Sequence, residues 1–178
     1  MKTNLALIGF MGTGKSAVGQ MLARRLGLRF VEMDALIETK AGKTIPAIFN
    51  EDGETAFRDL EIAATREAAG EDGTVIACGG GIVLNRINID RLRQKSVVIC
   101  VTASPAVVLK RVSAQVGQRP LLDIEDPGKT IRDLMRLRRP LYAQAADITV
   151  NTSRQTVKAV VEAIVKALEE DESLDWQK

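Results

Sequence analysis

A three-layer α/β/α domain, with a five-stranded parallel sheet between two helical layers, is the fold class the sequence predicts. Three observations predict it. Short apolar runs alternate with helical segments along the chain, as repeated strand–helix units do. Most runs are continuously apolar rather than alternating, which marks strands covered on both faces. The first run leads directly into Gly9-Phe10-Met11-Gly12-Thr13-Gly14-Lys15-Ser16, which fits G-x-x-x-x-G-K-[ST], the P-loop pattern.

The elements follow in order. Asn4 to Ile8 is the first strand, and the helix after the glycines carries Val18, Met21, Leu22 and Leu26 three to four apart. Leu28 to Glu32 is the second strand, ending in Glu32-Met33-Asp34. A helix with Leu36, Ile37 and Lys40 follows and stops at Gly42. Thr44 caps a short helix through Ile48 and Phe49, Asp52-Gly53 turns, and Glu54 to Ala69 is helical. Thr74 to Cys78 is the third strand, closed by Gly79-Gly80-Gly81. Asn88 to Gln94 is a short helix, Ser96 to Val101 a strand, and Pro105 to Arg111 a helix with proline in its first turn. From Val112 to Pro127 periodicity disappears, and a loop of that length inside one domain reads as a lid. Thr130 to Ala146 is helical with Pro140 bending it, Asp147 to Val150 is the fifth strand, and Gln155 to Leu168 is the most regular amphipathic helix. The acidic stretch from Glu169 through Trp176 reads as a frayed tail. One domain spans the chain, with no repeat and no linker.

Composition removes several classes of function. At 178 residues, 46% apolar and 27% charged, the chain has the balance of a soluble globular domain. A net charge of +2 and 3% aromatic residues give neither a basic surface nor a stacking platform for nucleic acid. With no histidine, Ser-His-Asp and Cys-His catalysis and every His-ligated metal are excluded. Cys78 and Cys100 sit in apolar runs and read as buried thiols of a reducing compartment. No leader precedes the P-loop and no run is long enough to span a membrane, so a cytoplasmic monomer is expected.

The glycine pattern states its own chemistry. Gly9, Gly12 and Gly14 let successive backbone N–H groups converge on one anion, and the helix that starts at Lys15 adds its positive end. Thr13, Lys15, Ser16 and Ala17 complete the turn; Lys15 reaches the β- and γ-phosphates of ATP and Ser16 holds Mg²⁺. A dinucleotide fingerprint overlaps, as Gly12-x-Gly14-x-x-Ala17 with Asp34 some twenty residues on. It has no use for Lys15-Ser16, which a triphosphate site needs. Ligands of such a sheet bind at the carboxyl ends of its strands, where Glu32, Asp34 and Gly79 to Gly81 also fall. No D-x-x-G after a strand and no N-K-x-D occurs, so the phosphoryl group needs an acceptor other than the water of a GTPase. Asp34 suits a general base for that acceptor's hydroxyl, with a helix N-cap as its competing role. Arg58 pairs with Glu54 or binds an anion; Arg138 and Arg139 form a solvated helix face or do the same.

Taken in order, several segments resemble the shikimate kinases. They are the P-loop octapeptide, Phe30-x-Glu32-x-Asp34, Gly53-Glu54-x-x-Phe57-Arg58-x-x-Glu61, Gly79-Gly80-Gly81, Arg119-Pro120-Leu121-Leu122 and Arg138-x-Pro140-x-Tyr142. The resemblance runs from Met1 to about Arg154. It implies ATP-dependent phosphorylation of the 3-hydroxyl of shikimate on a P-loop fold like that of nucleoside-monophosphate kinases. It places Asp34 on the substrate hydroxyl, Arg58 and Arg138 on the carboxylate, and Gly79, Gly80 and Gly81 against the ring. Arg119 becomes the lid arginine at the phosphates, and Arg111 and Arg154 the arginines beside adenine. Where the family has aspartate, this chain has Glu32, at a position associated with Mg²⁺ through water. A kinase for another small hydroxy acid, such as gluconate, is the neighbouring reading.

Overall fold

The computed structural model describes residues 1–113 and 126–176. Strands β1 (Asn4–Ile8), β2 (Arg29–Glu32), β3 (Thr74–Ala77), β4 (Ser96–Thr102) and β5 (Ile148–Asn151) form one parallel sheet in the order β2-β3-β1-β4-β5. The helices are α1 (Lys15–Leu26), α2 (Met33–Ala41), α3 (Ile45–Glu51), α4 (Gly53–Gly70), α5 (Arg86–Lys95), α6 (Pro105–Ser113), α7 (Pro127–Ala145) and α8 (Val157–Glu170).

The continuous apolar run of β1 explains its central place. Leu5 and Leu7 enter a core shared with α1 and α8, while Ala6 and Ile8 enter a second core under α2, α4 and α7. All five residues of β1 are fully buried. Only the edge strand β5 alternates, with Ile148 and Val150 in the α1–α8 core and Thr149 and Asn151 exposed. The three-layer expectation therefore holds, and the crevice at the strands' carboxyl ends opens where β1 has neighbours on both sides.

Three local expectations need correction. The second strand does not run out through Met33 and Asp34, because α2 already begins at Met33. Met33, Leu36 and Ile37 turn to the core while Asp34 and Ala35 are exposed, and that three-then-four spacing is helical. Asp34 thus sits in the first turn of α2 and the N-cap position is Glu32. The acidic end is not frayed: α8 runs to Glu170, Leu174 is buried against the α1–α8 core, and Trp176 forms a parallel bridge with Lys2. That apolar pair anchors a stretch whose charges alone suggest a loose tail. Finally, Val112 and Ser113 close α6, and Asp126 caps α7 by accepting from the Lys129 amide at 2.9 Å. The rest of the expected lid, with Arg119, lies outside the described residues. Helix α7 continues through Pro140 to Ala145.

Candidate active site

The P-loop is tied to its surroundings by backbone. Gly9 has φ of +140°, and a Cβ there would run into the Val101 carbonyl of β4, so only glycine lets the loop leave β1 beside that strand. Gly14, left-handed at φ 99°, precedes α1, and no side chain caps the helix. The first amides of α1 are thus left to an incoming anion. Thr13 is buried and donates to Phe10 O at 2.8 Å, closing the turn. The Lys15 ammonium reaches back over the loop to Gly9 O at 2.9 Å and Phe10 O at 3.0 Å.

Behind the loop stands a second support. The buried Thr152 hydroxyl donates to Thr13 O at 2.7 Å, and Arg111 donates to Gly12 O at 3.1 Å, Thr13 O at 3.2 Å and Thr152 O at 3.1 Å. Arg111 is therefore at the loop, and its guanidinium braces loop carbonyls. Arg154 is exposed and does not line the cavity, where Thr152 and Gln155 stand instead. This cavity, of about 580 Å³, runs along Gly12 to Val18 and takes in Glu32, Asp34, Gly79 and Gly80.

The two carboxylates divide at the end of β2. Glu32 is hydrogen-bonded to Ser16, and its pKa is raised, chiefly by burial and further by Asp34, against the opposing pull of Ser16 and Lys15. The Asp34 carboxylate lies against the glycine loop after β3: a Cβ on Gly79 would stand 3.1 Å from Asp34 Oδ1. Glutamate on the Ser16 side and aspartate on the glycine side is the separation the backbone change from β2 to α2 produces.

Beyond the glycines lies a cluster of arginines. Arg58, in the second turn of α4, pairs with Glu61 at 2.9 Å and with Glu54 at 3.1 Å, and its guanidinium lies 5.2 Å from the Phe57 ring centre. Glu61 is 1% exposed; burial raises its pKa while Arg58 opposes the rise. Gly81 leaves room for this guanidinium: a Cβ would stand 2.6 Å from Arg58 Nη1 and push it aside. Arg138, buried on α7, sits 5.8 Å from the Phe10 ring centre and donates to Gly80 O at 3.5 Å. Its Nε is buried and, among the described residues, has no hydrogen-bond partner. The Tyr142 hydroxyl donates to the same Gly80 oxygen, and burial pushes its pKa up to about 12.

The structure thus brings together the P-loop residues, Glu32, Asp34, Gly79, Gly80 and Arg111 around one cavity, with Arg58, Gly81 and Arg138 on the far side of the glycine turn. Glu61, Tyr142 and Thr152 carry positioning roles that the sequence reading left unassigned. Glu61 and Tyr142 each lie in a quoted motif, three and four residues from an arginine, and that helical spacing was the available signal. Nothing local marks Thr152. Cys78 and Cys100 are both free and buried thiols.

A family model described as "Shikimate kinase" matches residues 11–169 of the chain. A shikimate kinase of Caldanaerobacter subterraneus subsp. tengcongensis is 44% identical over 164 residues, covering 92% of this chain and 95% of that protein. Among solved structures, a shikimate kinase from Acinetobacter baumannii in complex with shikimate superposes with a TM-score of 0.90 at 34% identity, over 95% of this chain and 94% of that one. A gluconokinase from Sinorhizobium meliloti reaches a TM-score of 0.58 at 21% identity, over 97% of this chain and 95% of that one, a likeness of fold alone.

Proposed function

This chain belongs to the shikimate kinase family, and from that premise we propose that it transfers the γ-phosphoryl group of ATP to the 3-hydroxyl of shikimate. The observation that carries the reading is a buried guanidinium with a spare donor: Arg138, across Gly80 from the P-loop cavity, has an unpaired Nε in a site otherwise well satisfied. Leaving such a donor unmet is costly unless a ligand meets it, and a carboxylate suits the planar fork. Arg58 offers the second fork, held in place by Glu61.

The remaining roles follow from position. Asp34 accepts the proton of the attacking hydroxyl, standing between the glycine turn and the P-loop. Lys15 swings from the loop carbonyls to the β- and γ-phosphates when ATP enters, and the α1 amides take the rest of their charge. Arg119 supplies a further cation from the lid.

The donor set at the phosphates fits Mg²⁺. Ser16 and Glu32 present hard oxygens bonded to one another, and no group of three or more acidic, cysteine or histidine residues among the described residues forms a cage of its own. That suits an ion which keeps its waters and leans on substrate phosphates. Bound there, it would neutralise charge on the β- and γ-oxygens. The protein works as a single-domain monomer in the cytoplasm, with no nucleic acid or membrane partner; among the described residues no helix is long and apolar enough to cross a membrane.

The test is ADP release across shikimate, gluconate and nucleoside monophosphates at fixed ATP–Mg²⁺. Shikimate should give by far the highest kcat/KM. Equal or greater kcat/KM on gluconate would overturn the assignment.

A further inference from the structure

Helix α7 has a second working flank. Arg138 faces the glycine turn, but Arg132, Arg136 and Arg139 line a second cavity of about 590 Å³, which the ring of Tyr142 borders and which reaches the back of the P-loop at Gly9 and Phe10. Its origin lies in the topology. The edge strand β5 gives Ile148 and Val150 to the α8 side and leaves Thr149 and Asn151 bare on the other. Helix α7 packs against β4, the neighbour of that edge strand. The groove between α7 and β5 is floored by Cys100, Val101, Ala103, Met135 and Ala143. Thr13 is its one lining residue shared with the nucleotide cavity.

The charge above this floor is one-sided. Arg136 lies 3.5 Å from Asp133, but Arg132 and Arg139 have no ion-pair partner among the described residues. All three guanidinium groups are exposed at the rim. A concave space of this size with an apolar floor and a few polar groups at one edge is the usual form of a small-molecule site. Inorganic phosphate would leave the floor wet, and a purely apolar molecule would leave the rim without a partner. We propose that this groove is a second ligand site, which takes small carboxylic acids with a flat apolar body and stays open while the nucleotide and acceptor sites are filled. The apolar body covers Ala103, Met135 and Ala143, and the carboxylate meets Arg132 and Arg139 in the fork geometry arginine provides.

Benzoate is the probe, with benzamide as its neutral counterpart. Saturation-transfer NMR on the full chain, with ADP, Mg²⁺ and shikimate at saturating levels, should still show benzoate bound. Benzamide should bind about tenfold more weakly, and the double variant Arg132→Ala/Arg139→Ala should lose about tenfold in benzoate affinity. Ala143→Phe, at an exposed helix position, fills the groove while sparing the arginines and should abolish binding. Both variants should phosphorylate shikimate at the parent rate. Displacement of benzoate by ADP and shikimate would place it in the kinase site and overturn the proposal. So would unchanged binding in the two variants, or no transfer to benzoate at all.

Discussion

Glu32 and Asp34 are separated by one residue and by a change of backbone, and that change gives them different neighbours. Glu32 ends β2 and bonds Ser16; Asp34 stands in the first turn of α2 beside Gly79. Asp34→Asn keeps the shape and cannot take a proton, so kcat with shikimate should fall about a hundredfold, within the range for loss of a general base. Steady-state kinetics on the folded variant decides it, and near-parental kcat would leave Asp34 a positioning group. For Glu32 the sign follows from its raised pKa. The carboxylate is the form that suits Mg²⁺, and protonation sets in above the ordinary value of 4.5. The Mg²⁺ concentration for half-maximal rate should therefore climb as pH falls toward 4.5. Glu32→Gln should need more Mg²⁺ at every pH and lose that climb. At this scale the conformation of the P-loop was legible, because it is set by glycines and by residues fixed in spacing. The capping role considered for Asp34 was not settled by sequence, since it depended on where α2 begins, and the structure starts that helix one residue earlier, with Glu32 at the N-cap position. Glu61 was equally hidden: its value lies in being nearly sealed beside Arg58, a property of how α4 packs.

Helix α7 couples elements that are distant in the chain. Tyr142 and Arg138, four apart, both reach the Gly80 carbonyl, so one turn of α7 holds the glycine loop that follows β3. With its pKa pushed up to about 12, Tyr142 keeps its proton and remains a donor throughout the neutral range. Tyr142→Phe removes that donor with little change of volume. A net hydrogen bond of about 1 kcal/mol corresponds to roughly fivefold, which should appear in the KM for shikimate and leave the KM for ATP unmoved. An equal rise in both would mean general loosening of the helix. Most elements were readable to within two residues from their periodicity and caps, α8 most cleanly because its apolar stripe is unbroken. The junctions were harder. Sequence continues an extended run through Met33 and ends α6 at Arg111, whereas α2 opens at Met33 and α6 runs on through buried Val112 to Ser113.

At the scale of the whole molecule, two cores share one sheet, each drawing alternate residues of β1. One of them is closed by Leu174, which is 5% exposed beyond the end of α8. Leu174→Ala should cost roughly 2–3 kcal/mol and lower Tm by about 5–10 °C, measured by thermal unfolding. An unchanged Tm would return the stretch after Glu170 to the status of a loose tail. Sequence missed this because charge dominates the local composition, while the anchor is one leucine and a bridge from Trp176 to Lys2. The strand order has a consequence for the making of the protein. Leu5 pairs with Val75 on one side and with Val97 on the other, so β1 is synthesised long before either neighbour exists. A growing chain carries its phosphate-binding loop exposed and unsupported, and contact with Val101 of β4 comes later still. On the ribosome, nucleotide affinity should therefore emerge only after β4 has left the exit tunnel, as a late and abrupt event in translation.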